Sequence, residues 1–269
     1  MDISSTYALN NGVKIPVLGF GTWQLNYQEG QKAVNQALKF GYRLIDTAAY
    51  YQNEAEVGEA IRASGISRSE IFVVTKLWNS DHFMAKEAFE KSLANLGLGY
   101  IDLYLIHWPV PERLESWKTL EKLLGSGKVK SIGVSNFTIR HLEELLDSAS
   151  VVPAVNQVEF TPFLYQKDLL DYCRKKGIIL EAYAPLTRGS RLADPNLEEI
   201  AASHKKTPAQ VMLRWSVQKG VIPLPRSKNP ARIKENADIF DFNLTGKEMN
   251  AIDSFDEGLR TTWDPESMK

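Results

Sequence analysis

Apolar runs of strand length return along this chain at near-regular steps, and a period of this size leaves few folds open. The runs begin near Val17, Leu44, Phe72, Leu103, Ser131, Ala154, Leu180 and Val221, with successive starts 23 to 31 residues apart and a last step of 41. One such step holds a strand, a loop, a helix and a second loop, and repetition at that length signals a repeating architecture. Between the runs the apolar residues follow helical spacing. Ala33, Val34, Ala37 and Leu38 make one stripe; Trp117, Leu120, Leu123 and Leu124 make another. Leu142, Leu145 and Leu146 repeat the pattern, as do Val211, Met212 and Trp215.

Eight strands buried on both faces, alternating with amphipathic helices, predict a closed (β/α)8 TIM barrel formed as one domain over residues 1–269. A small hairpin precedes it at Tyr7–Ile15, with Asn11-Gly12 expected to supply the positive φ angles of its turn. Thr207-Pro208 is a helix start, and Gly41, Gly127 and Gly177 fall where helices stop. The long last step has room for an extra helical piece, and Thr245-Gly246-Lys247-Glu248 reads as the capping box of a further C-terminal helix ending near Phe255. An open dinucleotide-binding sheet needs G-x-G-x-x-G; Gly19-Phe20-Gly21-Thr22-Trp23-Gln24 lacks the third glycine and puts a Trp where phosphate would approach.

Composition narrows the class. With 32 basic and 33 acidic residues interspersed, the formal net charge of -1 gives no footprint for nucleic acid or an anionic membrane. No apolar run nears the roughly 20 residues that span a bilayer, and no signal peptide is visible at the amino terminus. The lone Cys173, beside Leu169 and Leu170, reads as a buried structural thiol in a cytoplasmic protein.

Four polar residues stand out against the strands. Asp46, Lys76 and His107 end the second, third and fourth runs, and Tyr51 follows on the loop after the second. Adjacent parallel strands bring those ends together, on the face where barrels of this type do chemistry. Neither a metal cage nor a nucleophile elbow uses an acid, a phenol, an amine and an imidazole, so no metal is expected. The phenol donates a proton at neutral pH, the ammonium lowers its pKa, the acid holds the ammonium, and the imidazole orients a carbonyl oxygen. No side chain in the set supplies a nucleophile, so a cofactor has to deliver hydride. Tyr50 competes with Tyr51 for the acid's role.

These residues in their contexts, Asp46-Thr47-Ala48-Ala49-Tyr50-Tyr51-Gln52-Asn53-Glu54, Val74-Thr75-Lys76-Leu77-Trp78 and Ile106-His107-Trp108-Pro109, resemble the aldo-keto reductases. So do Gly19 to Trp23, Ile132 to Phe137, Asn156 to Glu159 and Ala182 to Leu186; the likeness runs from about Leu9 to about Asp264. The resemblance makes Tyr51, which precedes x-Asn-Glu, the general acid in a catalytic set with Asp46, Lys76 and His107. It implies NADPH as cofactor. Tyr183 would stack on the nicotinamide, with Ser135, Asn136 and Gln157 on its carboxamide and Pro185 and Leu186 along the pyrophosphate. Gly21, Thr22, Trp23 and Asp46 complete that end of the cofactor pocket. Arg226, Ser227, Arg232, Glu235 and Asn236 would grip the adenosine end, with the cations on a 2′-phosphate and Glu235 on the adenine amine. The family more often has Lys where Arg226 stands, which leaves NADH as a second cofactor.

The loops after Trp108 and Tyr183 and the tail after Phe255 are short, as in the compact microbial members such as the 2,5-diketo-D-gluconate reductases. The implied pocket for a small carbonyl substrate is open, walled by Trp23, Trp78 and Trp108 beside Tyr51 and His107, with Trp263 over its mouth, and favours aromatic or aliphatic aldehydes over charged sugars. The family resemblance also implies a monomer. Two other readings stay open: a slow, redox-sensing regulatory member of the same fold, and a sugar-phosphate isomerase on a plain barrel.

Overall fold

The computed structural model describes residues 1–268. An antiparallel pair, β1 (Thr6–Ala8) and β2 (Lys14–Pro16), precedes eight parallel strands. These are β3 (Gly19–Gly21), β4 (Leu44–Asp46), β5 (Phe72–Leu77), β6 (Ile101–Ile106), β7 (Val129–Ser135), β8 (Val155–Glu159), β9 (Ile179–Tyr183) and β10 (Ile222–Pro223). Each pairs with the next in chain order, and every one starts within a few residues of an apolar run identified above. β3 and β10 meet where Gly21 N–H donates to Pro225 O at 3.1 Å, which brings the sheet round into a nearly closed barrel. Glycine allows that approach, because a Cβ on Gly19 would lie 2.5 Å from Leu224 Cδ2 and one on Gly21 3.1 Å from Leu224 O.

The strands alternate with α1 (Tyr27–Lys39), α2 (Glu54–Ala63), α3 (Ala85–Leu96), α4 (Arg113–Leu124), α5 (Ile139–Ser148), α6 (Lys167–Lys175) and α8 (Pro208–Gln218). α7 (Pro195–Ser203) is the extra piece that the long last step accommodates. α9 (Pro230–Ala237) and α10 (Gly246–Asp253) follow β10. Thr207 and Thr245 both form capping boxes, with Gln210 and Glu248. The helices bury their apolar stripes against the outside of the sheet, and Cys173 lies in that layer, where burial pushes its thiol up to about 12.

A second, smaller core fills the barrel, with Leu44, Val74, Leu103, Leu105, Val155 and Ile222 among its members. Leu9 and Ile15 of the hairpin join it, so the hairpin plugs the amino-terminal end of the barrel. Asn10 and Asn11 fasten it by donating to the carbonyls of Pro153 and Lys130, both at 3.0 Å. Its turn corrects one expectation: only Gly12 has a positive φ, at 84°. Leu9 N–H donates to Val13 O and Gly12 N–H to Leu9 O, a wider turn in which Asn11 keeps an ordinary backbone and uses its side chain as the fastener.

Candidate active site

With one end plugged, the carboxyl ends of the strands open into a cleft of about 1160 Å³. Asp46 ends β4, Lys76 lies on β5 and His107 follows β6, while Tyr51 comes from the short helical turn Ala49–Tyr51. The Tyr51-Gln52-Asn53-Glu54 sequence is what holds that turn. Asn53 donates to Thr22 O and Leu25 O at 2.9 and 2.8 Å and accepts from Thr47 Oγ1 at 2.6 Å. Glu54 accepts from Thr75 Oγ1 at 2.7 Å and from Asn95 Nδ2 at 3.1 Å. Both are buried, so the loop that carries Tyr51 is tied to β5 and to the loop after β3.

Lys76 is fully enclosed, and its three N–H groups are all used: two on Asp46, at 2.8 and 2.7 Å, and one on Thr47 O at 2.8 Å. Its Nζ sits 5.1 Å from the centre of the Tyr51 ring. The expected lowering of the phenol's pKa is therefore overturned: burial, with the Asp46 charge acting in the same direction, holds it well above its usual value. Asp46 neutralises the ammonium, and Tyr51 is a fully protonated donor at neutral pH. Its ring lies 5.8 Å from that of His107, and both line the cleft. Burial and then the Lys76 charge push the His107 imidazole well below its usual range, so the ring is neutral. Its Nδ1 is enclosed without a partner, and the ring lines the cleft, which leaves Nε2 as the nitrogen available to a ligand.

Below the quartet, Gln157 Nε2 donates to Asp46 Oδ2 and to Glu181 Oε2, both at 2.8 Å. Asn136, with φ 64°, donates to His107 O at 2.9 Å and accepts from Tyr183 Oη at 2.7 Å. Ser135 donates to Gln157 O at 2.8 Å and is buried beneath the cleft rather than on its wall. Thr22 is likewise enclosed, with both its N–H and its hydroxyl on Asp46 O. Gly21, Asn136, Gln157, Tyr183, Pro185 and Leu186 do face the cleft.

The far arm of the cleft is basic. Arg188, Arg226, Lys228 and Arg232 line it, with Ser227, Glu235 and Asn236. Arg226 donates to Gln24 Oε1 at 2.7 Å and Lys228 to Glu29 Oε2 at 2.6 Å, reaching from the loop after β10 to the loop and helix after β3. Burial and then the Arg188 charge lower the pKa of Arg226. Glu235 accepts from Thr207 Oγ1 at 3.0 Å.

The near arm is aromatic. Trp23, Trp78 and Trp108 all line it, and the ring of Tyr50 lies between the first two, with centroids 5.4 Å from Trp23 and 3.8 Å from Trp78. Trp263 reaches the same space from the tail, 5.6 Å from Trp108. Glu159, fully buried at the end of β8, anchors that tail: it accepts from the N–H and hydroxyl of Thr261, at 2.8 and 2.5 Å, and of Thr262, at 3.2 and 2.7 Å. Sequence reasoning missed Glu159, Glu181, Tyr50 as a wall and the two threonines. The sole available signal was that Glu159 and Glu181 interrupt apolar strands, with no partner visible nearby in the chain.

The family model for aldo/keto reductases matches residues 17–257. The chain belongs to this family. It is thus an oxidoreductase acting on carbonyl groups, of a family that uses nicotinamide cofactors. This reductase is 49% identical to the oxidoreductase YtbE of Bacillus subtilis, an alignment covering 96% of this chain and 95% of the relative. It is 48% identical to the glyoxal reductase of the same organism, over 99% of this chain and 98% of the relative. Among solved structures, an aldo-keto reductase from a Medee basin deep-sea metagenome library superposes with a TM-score of 0.95 at 44% identity, covering 98% of this chain and 99% of that one.

Proposed function

We propose that this reductase converts small aldehydes and ketones to alcohols with NADPH, Tyr51 serving as the general acid. The observation that carries the reading is the pairing of Tyr51 and His107 on the cleft floor, two neutral donors over a closed Asp46–Lys76 ion pair. A carbonyl oxygen lodged between them would accept from His107 Nε2 and take its proton from Tyr51 Oη. Lys76 is the nearest cation to the phenolate left behind, and Asp46 keeps that cation in place. Trp23, Tyr50 and Trp78 keep the carbonyl's substituents in an apolar wall.

The donor set fits a nicotinamide dinucleotide. Tyr183 offers a ring face, Gln157 a carbonyl to the carboxamide, and the basic arm a counter-charge to phosphates. When bound, the cofactor supplies the hydride that no side chain here can provide. Arg226 and Arg232 favour NADPH over NADH, since guanidinium groups match a 2′-phosphate. The glyoxal reductase relative and the apolar near arm together favour small aldehydes. Loss of nicotinamide absorbance against a panel of carbonyl compounds, with NADPH and with NADH, tests the reading. Turnover of none of them would overturn it.

A further inference from the structure

Glu181 has no part in the chemistry just described, yet it is fully buried inside the barrel, directly opposite Gln157 on β8 and Ile222 on β10 in the sheet register. The charged groups that face it are Asp46 from β4 and Lys76 from β5; Gln157 and Ile222 bring no charge. We propose that Glu181 is a positioning residue: together with Asp46 it fixes the Gln157 carboxamide with its nitrogen turned inward and its carbonyl turned to the cofactor.

An amide can sit either way round, and its neighbours decide. Here two carboxyl oxygens, Asp46 Oδ2 and Glu181 Oε2, each lie 2.8 Å from the same nitrogen. With one acceptor a flip would cost a single hydrogen bond; with two it would cost both and set the amide oxygen against the Asp46 carboxylate. The charge count then fixes the form of Glu181. Lys76 is saturated by Asp46 and Thr47, so two enclosed carboxyls share one cation that is already committed. Glu181 receives only the amide N–H, and its Oε1 is buried without a partner. An anion so placed is costly, and the group keeps its proton. Burial, with the Asp46 charge next, pushes its pKa up to about 8, against the opposing pull of Gln157 and Lys76. Above that pH a second anion appears beneath the cleft. It attracts the positively charged ring of an oxidised nicotinamide and has no such pull on the neutral reduced ring.

The inference rests on Gln157 holding the cofactor, so the test has one arm without cofactor. Glu181→Gln keeps an acceptor and removes the acid; Glu181→Leu removes both. In the cofactor-free protein, stability measured against pH should reveal the proton. A raised native pKa gives stability that is full below the unfolded value of 4.5 and is lost as pH rises through about 8. Wild type should therefore lose stability relative to Glu181→Gln across that window, and a constant difference would overturn the neutral acid. In the cofactor arm, Glu181→Leu should weaken NADPH binding roughly two- to tenfold at pH 7, the worth of one hydrogen bond, with kcat at saturation nearly kept. Glu181→Gln should restore the affinity. In wild type the preference for oxidised over reduced cofactor should rise with pH through about 8, and in Glu181→Gln it should stay flat. Wild-type affinity in Glu181→Leu would overturn the positioning role. If wild type bound no nicotinamide cofactor at all, the reading of the cleft would fail and the positioning role with it, while the stability arm would still decide the proton.

Discussion

The hydroxyls of Tyr183 and Thr262 lie 3.0 Å apart, so the ring at the end of β9 touches the tail that Glu159 anchors. Through Asn136 the same ring reaches the backbone of His107. Thr262→Val removes the hydroxyl bonds to Glu159 and Tyr183 while keeping the shape. We expect a Tm lowered by roughly 2–6 °C and a raised KM for carbonyl substrates, since Trp263 loses its anchor. Unchanged Tm and KM would show that the tail holds by packing alone.

Tyr51→Phe should reduce turnover by roughly 10²- to 10⁴-fold and leave NADPH affinity close to wild type, because the ring stays and the proton donor goes. Tyr50→Phe should have a small effect on kcat, its hydroxyl having no place in the proposed proton path. Steady-state kinetics with fluorescence titration of cofactor separates the two tyrosines; comparable losses from both would sink the assignment.

Arg226→Ala combined with Arg232→Ala should weaken NADPH binding far more than NADH binding. Each charge-assisted contact to phosphate is worth about 1.5–3 kcal/mol. Part of any common loss would come from the Arg226–Gln24 contact across the cleft. Equal losses for both cofactors would mean that the arginines serve the fold and not a 2′-phosphate.

Trp23 and Trp78 sandwich Tyr50, so truncating either should loosen a whole wall. Trp23→Ala and Trp78→Ala are expected to change relative kcat/KM across aldehydes of increasing size and to spare NADPH binding. Constant ratios with a lower Tm would return these rings to a purely structural role.

The ion pair beneath Tyr51 makes a prediction about stability as well as rate. Lys76→Met strands Asp46, which is 3% exposed, and should destabilise by about 3–5 kcal/mol. Adding Asp46→Leu should recover much of that loss without restoring activity. Thermal unfolding of the single and double variants decides it; a double variant no more stable than Lys76→Met would contradict the argument.

The barrel was legible in the sequence because buried parallel strands are continuous apolar runs, and their spacing repeats. The quartet was legible because three of its members each break such a run at its end. What the sequence could not show was where donors go once the chain closes. An amine near a phenol reads as a pKa-lowering pair, yet Asp46 and Thr47 take every N–H of Lys76. Asn11-Gly12 reads as a two-residue turn, yet Asn11 is needed as a fastener to Lys130, 119 positions away. Glu159 and Glu181 find their partners on other strands or in the tail, so local pattern assigns them nothing.

The join between β3 and β10 has a consequence for motion. Elsewhere strands are held by register-matched ladders, whereas this join has a single backbone hydrogen bond among the described residues, backed by the Arg226–Gln24 and Lys228–Glu29 bridges. It is the staves' loosest edge, and amide exchange should be fastest there. The residues that flank it are also those of the basic arm. A dinucleotide lying along that arm would act as a hoop, tightening the circumference from outside the sheet. Filling the cleft should therefore slow exchange at Gly21 more than at strands on the opposite wall.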